Sequence, residues 1–507
     1  ACTPPQRPPT IDAFEVASGR VLPGAVATVR FEARGAERLV LEGPDLVAVD
    51  VTGHTAYDVE DVLLGTYTLR ASNDAGTGSA TATLARLVRP LLVAGQSNAQ
   101  GVNLPAVEAA TFVTAIDGVQ MLGNDDVWRA ALEPLDDCTG QVDPISQDPG
   151  GGTQPCVAQG NSGVSMGVAF GNRLVAAVGD EVLLIPAARG GSVLDDDPSK
   201  EWWPDPDRAE DRTTLFGSAI RRWRLAAASG AAAAYGAVFW YQGESEAHDG
   251  AHVLYADRTD RVLDAFRTET GVPVLFVQLS RYVADDVEPD PGPRNLLYQQ
   301  VREQQCALAT GARSTDGNPT PYAGEDGRFL VVAHDLPMIT RNHLDAASHV
   351  ELARRVVLAF REHVLGEDVD GTGPRLQRID HAVGTRDVMV RFDVPISPPA
   401  VTSDLAYGGY FAVLSGGVSV DVASIERDPD DDRSVWLRLV APSSQPVEVR
   451  YMPPPENSEQ IVLDVVRAAA CEEAIPGTDA CLPAPAFGAA LEAGMLDVLE
   501  TLPRMSD

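Results

Sequence analysis

The pattern of apolar and polar positions changes character twice along the chain. Between residues 10 and 88 short runs alternate with period two, as in Val26-Ala-Thr-Val-Arg-Phe-Glu32, Arg38–Glu42, Thr66–Ala71 and Ser79–Leu84, with Ser72-Asn-Asp-Ala-Gly76 as a turn. Half-buried strands at this spacing predict a small β-sandwich. From about 89 to 366 unbroken apolar runs (Arg89–Val93, Glu181–Ile185, Ala237–Trp240, Val272–Leu279, Phe329–Ala333) alternate with helical stretches (Gly167–Val178, Thr213–Ala228, Leu254–Thr268, Leu296–Thr310, Ala346–Leu365). Strands without polar alternation are buried on both faces, so this part reads as α/β, a doubly wound parallel sheet covered by helices. From 367 to 507 short strands return: Val388–Phe392, Gly409–Val413, Val418–Val422, Val435–Leu439 and Val447–Tyr451. They predict a C-terminal β-sandwich that ends in a Cys-bearing tail.

Composition narrows the function classes. The 507 residues include 39 Lys+Arg against 73 Asp+Glu, a formal net charge of −34. That field repels phosphate backbones and anionic lipid, which argues against nucleic-acid and membrane-surface partners. No apolar run approaches the roughly 20 residues of a spanning helix. Ala1-Cys2 and the Pro-rich stretch to Pro9 resemble the mature start of a bacterial lipoprotein, a lipidated Cys on an extended tether. The expectation is an exported protein, cell-surface, periplasmic or secreted, attached to a membrane only through a lipid on Cys2. Cys138 with Cys156, and Cys471 with Cys481, flank short turn-rich segments and suit local disulfides in such a compartment. Cys306 is left as a buried thiol on a helix. No Cys/His spacing fits zinc, and neither Asp195-Asp-Asp197 nor Asp428–Asp432 has the ligand spacing of a calcium loop. Both read as solvated acidic turns, and no metal or cofactor is expected.

In a doubly wound sheet ligands bind beyond the carboxyl ends of the strands, and four post-strand segments carry chemistry. Gly95-Gln96-Ser97-Asn98 presents a serine at the start of a helix, where backbone N–H groups can receive an oxyanion. Taken alone, Ser97 is equally an ordinary helix cap. Arg189-Gly190-Gly191-Ser192 lets the backbone approach a ligand. Trp240-Tyr-Gln242-Gly-Glu244-Ser-Glu246 places a carboxamide and a carboxylate at a strand end, and His343-Leu-Asp-Ala-Ala347 opens the last helix with a base suited to neutral pH.

Together these blocks resemble the SGNH (GDSL-type) hydrolase superfamily, and within it carbohydrate esterase family six and the sialate O-acetylesterases. The resemblance covers roughly residues 89–366, and Val301-Arg-Glu-Gln-Gln305 also fits a helix these esterases carry. It implies Ser97 as nucleophile, His343 as general base and then acid, and an oxyanion hole from the N–H groups of Ser97 and Gly191 with the Gln242 side chain. The residues 10–88 resemble the immunoglobulin-like domains placed ahead of secreted bacterial enzymes. Many SGNH enzymes carry an Asp three residues before the histidine, and here that position is Thr340. The carboxylate is expected from Glu244, the alternative being a dyad whose histidine is oriented by a backbone carbonyl. Asp335 and Asp345 are spare candidates, Asp345 reading as a helix cap, and His334 is the reserve base.

Gln96, Asn98, Trp202 and Tyr241 are the candidate substrate contacts, the rings as sugar-stacking surfaces together with Trp203; His248 and His252 are placed to line the cleft. Gly163-Val-Ser165-Met-Gly167 matches a nucleophile elbow, but loop chemistry precedes it where a strand is required. The leading expectation is therefore a serine esterase that removes O-acetyl groups from a carbohydrate, of sialate or xylan type. The alternative is a non-catalytic glycan-binding lipoprotein in which Thr340 marks a degenerate site.

Overall fold

The computed structural model describes residues 7–16, 27–44, 46–59, 65–84, 87–137, 140–144, 163–194, 202–205, 207, 209–247, 251–283, 292–309, 327–397, 411–451, 467–468 and 487–490. Cys2, Cys138, Cys156, Cys471, Cys481, His248 and Asp195–Asp197 lie outside them, and with them the lipid, disulfide and first acidic-turn readings. The chain forms two compact units, Ala1–Arg89 with Leu174–Val182, and Pro90–Arg173 with Leu183–Asp507.

The N-terminal strands make two antiparallel groups. One joins Thr10–Val16, Ala27–Arg34 and Ala56–Val59; the other joins Val49–Asp50, Arg38–Glu42, Gly65–Asn73 and Gly76–Leu84. Val29, Phe31, Leu41, Tyr67 and Leu69 fill the core between alternate polar positions.

The central sheet has seven strands: β1 Val88–Gly95, β2 Val119–Leu122, β3 Trp128–Ala130, β4 Glu181–Ala188, β5 Ala237–Tyr241, β6 Val274–Gln278 and β7 Arg328–Val332. Their spatial order is β3-β2-β4-β1-β5-β6-β7. β1 pairs in parallel with β5, β5 with β6 and β6 with β7, whereas β2 and β3 form an antiparallel hairpin at one edge. Every residue of β5 and β6 is buried, which is why these segments read as unbroken apolar runs. The edge hairpin escapes the sequence pattern because its strands have only four and three residues.

Seven helices are described: α1 Ser97–Gln100, α2 Ala106–Phe112, α3 Gly167–Val178, α4 Leu215–Ala228, α5 Tyr255–Thr270, α6 Gly292–Ala309 and α7 Ala346–His363. The five longer ones match the predicted helices to within a few residues; α1 and α2 are too short to show a periodicity. Thr214 caps α4 by accepting from Gly217 N, and Asp345 caps α7 by accepting from Ser348 N, as its position implied. Ser165, the elbow-like serine, lies just ahead of α3. It is buried, donates to Glu133 Oε1 at 2.9 Å and accepts from Gly167 N at 3.0 Å, so its hydroxyl is engaged at the helix start, and Gly163 and Val164 before it are not in a strand, where an elbow requires one. Among the described residues no helix is long and apolar enough to cross a membrane.

Two further four-stranded antiparallel sheets follow. One runs Leu376–His381, Asp387–Phe392, Ser434–Leu439, Val422–Arg427, and the other Val418–Val420, Phe411–Ser415, Val447–Tyr451, Phe487–Ala490. Their common core includes Val388, Val390, Phe411, Val435, Leu437 and Tyr451. Cys306 is half-buried rather than buried, because α6 lays it against the edge of this core. Gln299 on the same helix donates to Tyr451 O at 3.2 Å and Glu303 lies 3.8 Å from Arg450, so α6 carries both the central sheet and the C-terminal strands. In the second acidic turn Asp431 meets Arg391 and Ser434, and Asp428 accepts from Trp436.

Candidate active site

Strand β1 ends where it must pass close beneath β5. A Cβ on Gly95 would lie 2.1 Å from Tyr241 O, and its φ of +131° is open to glycine alone. Gln96 N then donates to Tyr241 O at 2.9 Å, and the chain turns into α1 with Ser97 as its first residue. The N–H of a first helical residue has no partner within the helix, so it remains for a ligand.

Ser97 Oγ lies 3.0 Å from His343 Nε2, across 246 residues of sequence. The histidine sits on a tight turn after β7, where Ile339 N donates to His343 O at 2.8 Å. Its other ring nitrogen, Nδ1, is 2.9 Å from Thr340 Oγ1. With Nδ1–H donating to the threonine, Nε2 is left as an acceptor for the serine proton, the arrangement a general base needs. Burial holds the imidazole below its ordinary pKa near 6.5, so it is neutral at physiological pH.

The expected partner of the histidine is corrected here. Glu244 is buried, and its Oε1 accepts from Asn98 Nδ2 at 2.6 Å instead of reaching the imidazole. Burial raises its pKa to about 7, against the lowering effect of the Asn98 bond. The position next to Nδ1 belongs to Thr340, which the sequence marked only as a departure from the family pattern. Asn98 Nδ2 also donates to Asn342 O at 2.9 Å, and its Oδ1 accepts from Leu344 N at 3.1 Å.

The four proposed substrate contacts are engaged within the protein itself. Asn98 is engaged as just described, and Gln96 Oε1 accepts from Gly243 N and Ser245 N at 3.4 Å, so both amides hold loops together. Trp202 is 1% exposed, packs edge-on against Trp240 at 4.8 Å and donates to Ser192 Oγ, and Tyr241 is fully buried. Neither ring offers a face to a sugar. Trp203 is half-buried under Arg261, 4.7 Å from its ring.

Around the serine, Gly190 lies close enough that a Cβ there would be 3.7 Å from Ser97 Cβ, and its N–H donates to Gln100 Oε1 at 2.8 Å. Gly191, at φ +72°, faces open space. Arg189 N donates to Gly95 O at 3.0 Å, which sets this turn beside the end of β1. The Gln242 side chain is buried and its Nε2 donates to Glu246, a residue the motif contains but to which the sequence assigned no role. Glu246 also accepts from Leu194 N at 2.6 Å, and burial raises its pKa to about 7.

The remaining candidates are structural. Asp335 is paired with Arg355 at 2.6 Å, and His334 is buried edge-on to Tyr451 at 6.2 Å. His349 is fully buried and its pKa falls to about 3 by desolvation. No cluster of metal-ligating side chains occurs among the described residues.

The sequence model of the carbohydrate esterase, sialic acid-specific acetylesterase family matches residues 89–362, more than half of the chain. The chain belongs to this family. It is a carboxylic ester hydrolase, an O-acetylesterase by family. Comparison with curated proteins finds no match. Among solved structures the chain is similar to XAC1771, a carbohydrate acetylesterase from Xanthomonas citri, at 18% identity and a TM-score of 0.51, covering 91% of this chain and 95% of that one. At that identity the likeness is one of fold. A protein from Arabidopsis thaliana (21% identity, TM-score 0.38, covering 55% of this chain and all of that one) and NanS (15%, 0.38, 56% and all) also match.

Proposed function

We propose that this esterase removes acetyl groups from an O-acetylated carbohydrate through an acetyl-serine intermediate on Ser97. The observation that carries the mechanism is the 3.0 Å contact between Ser97 Oγ and a neutral, half-buried His343 Nε2. His343 takes the hydroxyl proton as Ser97 attacks the acetyl carbonyl, and the developing oxyanion is received by the N–H groups of Ser97 and Gly191 and the Gln242 amide. The Glu246 carboxylate, acceptor only when ionised, turns the Gln242 NH₂ toward itself and so fixes the orientation of that amide. His343 returns its proton to the sugar oxygen as the acetyl–oxygen bond breaks. A water then repeats the sequence to release acetate.

Thr340 accepts from Nδ1–H but brings no charge. The imidazolium formed at attack is therefore stabilised less than in a Ser-His-Asp triad. The catalytic part is the doubly wound sheet at about 89–366, with sandwiches at 10–88 and 367–507, and its substrate is an acetylated carbohydrate of sialate or xylan type. The glycan-binding alternative is not favoured, since nucleophile and base are in contact. Acetate release from O-acetylated sialic acid and from acetylated xylan, by wild type and Ser97→Ala, tests the reading. Loss of release with Ser97→Ala is expected, and equal release by both proteins would sink it.

A further inference from the structure

Asn98 is fully engaged: both amide hydrogens and the carbonyl oxygen have partners, and two of the three are the main-chain groups of Asn342 and Leu344 on either side of His343. We propose that Glu244 and Asn98 form a positioning relay, in which the Glu244 carboxylate fixes the Asn98 amide and that amide clamps the His343 turn at the distance Ser97 requires. The inference rests on the function proposed above and assigns Glu244 an indirect role in place of a charge partner for the imidazole.

The orientation of the Asn98 amide decides which bonds it can make. An Asn side chain can present oxygen or NH₂ to either side, and one flip exchanges donor and acceptor. Ionised, Glu244 Oε1, 2.6 Å from Nδ2, admits only the orientation with NH₂ toward Glu244. In that orientation the second hydrogen meets Asn342 O and the oxygen meets Leu344 N. Flipped, the amide would set oxygen against oxygen at Asn342 and N–H against N–H at Leu344. Because Asn98 immediately follows Ser97, the same bonds tie nucleophile and base into one unit. The segment after β5 thereby governs a turn that follows β7, although β6 lies between those strands. The groups that bear electrostatically on Glu244 are Glu246 and the hydroxyls of Tyr241, Tyr255 and Tyr298.

The test uses the full chain and the variants Asn98→Ala, Asn98→Asp, Glu244→Ala and Glu244→Gln. Turnover of 4-nitrophenyl acetate is read from pH 6 to 9, alongside deuterium exchange in peptides spanning residues 338–348. Asn98→Ala is expected to lower kcat by about 10²-fold with KM unchanged, the cost of a base misplaced by about 1 Å. It also speeds exchange across the His343 turn. Glu244→Gln, whose amide oxygen still accepts from Asn98, retains at least roughly tenfold more activity than Glu244→Ala. Asn98→Asp opposes two carboxylates that can share one proton, so its activity rises as pH falls toward 6. An equal loss in Glu244→Gln and Glu244→Ala would overturn the relay, since charge alone would then matter. Wild-type kcat or unchanged exchange in Asn98→Ala would overturn it too. Turnover by wild type no faster than by Ser97→Ala would sink the hydrolase reading separately, and exchange at residues 338–348 would still decide the relay.

Discussion

Replacing Thr340 with aspartate supplies the carboxylate that the SGNH pattern leads one to expect beside His343. The threonine oxygen stands 2.9 Å from Nδ1, so a carboxylate there sets opposite charges about 4 Å apart once the imidazolium forms. Coulomb's law gives about 4 kcal/mol at an effective dielectric of about 20 and about 1 kcal/mol in bulk water. Thr340 is exposed and His343 only half-buried, so solvent pulls the value toward the lower bound, about 1–2 kcal/mol. That corresponds to about one pK unit on His343 and about tenfold in rate for a step that generates the imidazolium. The sign follows from the base having to be neutral. In wild type, burial sets the acid limb of kcat/KM below about pH 6.5, and Thr340→Asp moves that limb up by about one unit while raising the plateau. Thr340→Val removes the acceptor and lowers the plateau about tenfold. Profiles of 4-nitrophenyl acetate hydrolysis from pH 4.5 to 9 decide the matter. An acid limb that stays put in Thr340→Asp, together with an unaltered Thr340→Val, would show that the Nδ1 contact does not orient the base.

Gln242→Ala is expected to lower kcat by about 10²–10³-fold, the cost of one oxyanion donor, while circular dichroism stays native; a change confined to KM would assign Gln242 to binding instead. Gly95→Ala forces a Cβ to within 2.1 Å of Tyr241 O, backbone against backbone, and no soluble protein should be recovered. Burial raises the Glu133 pKa to about 7, so the folded state holds this proton more tightly than the unfolded one. Stability from this group is present below about pH 4.5 and is lost as pH rises through 7. Between pH 5.5 and 8 the loss amounts to about 2 kcal/mol, and urea unfolding should show it reduced in Glu133→Gln.

Much of this molecule is legible in its residue order because the information is local. Unbroken apolar runs such as Ala237–Trp240 suit strands covered on both faces, and Asp345 before an amphipathic stretch suits a helix start; the fold has both. The Gly95-Gln-Ser-Asn, Gln242-Gly-Glu-Ser and His343-Leu-Asp blocks stand out because the acyl transfer proposed above needs a hydroxyl, a base and fixed donors at strand ends. The direction in which each of those side chains points is not local. Whether Glu244 reaches the imidazole or Asn98, and whether Trp202 faces a sugar or Trp240, depends on partners 146 and 38 residues away that only the folded sheet brings within a few ångströms. Sequence by itself determined the family and the strand–helix rhythm, and it singled out Ser97 and His343, which the fold places 3.0 Å apart. Tertiary structure decided how they are held, because an amide or a carboxylate takes its role from the hydrogen-bond partners folding places beside it.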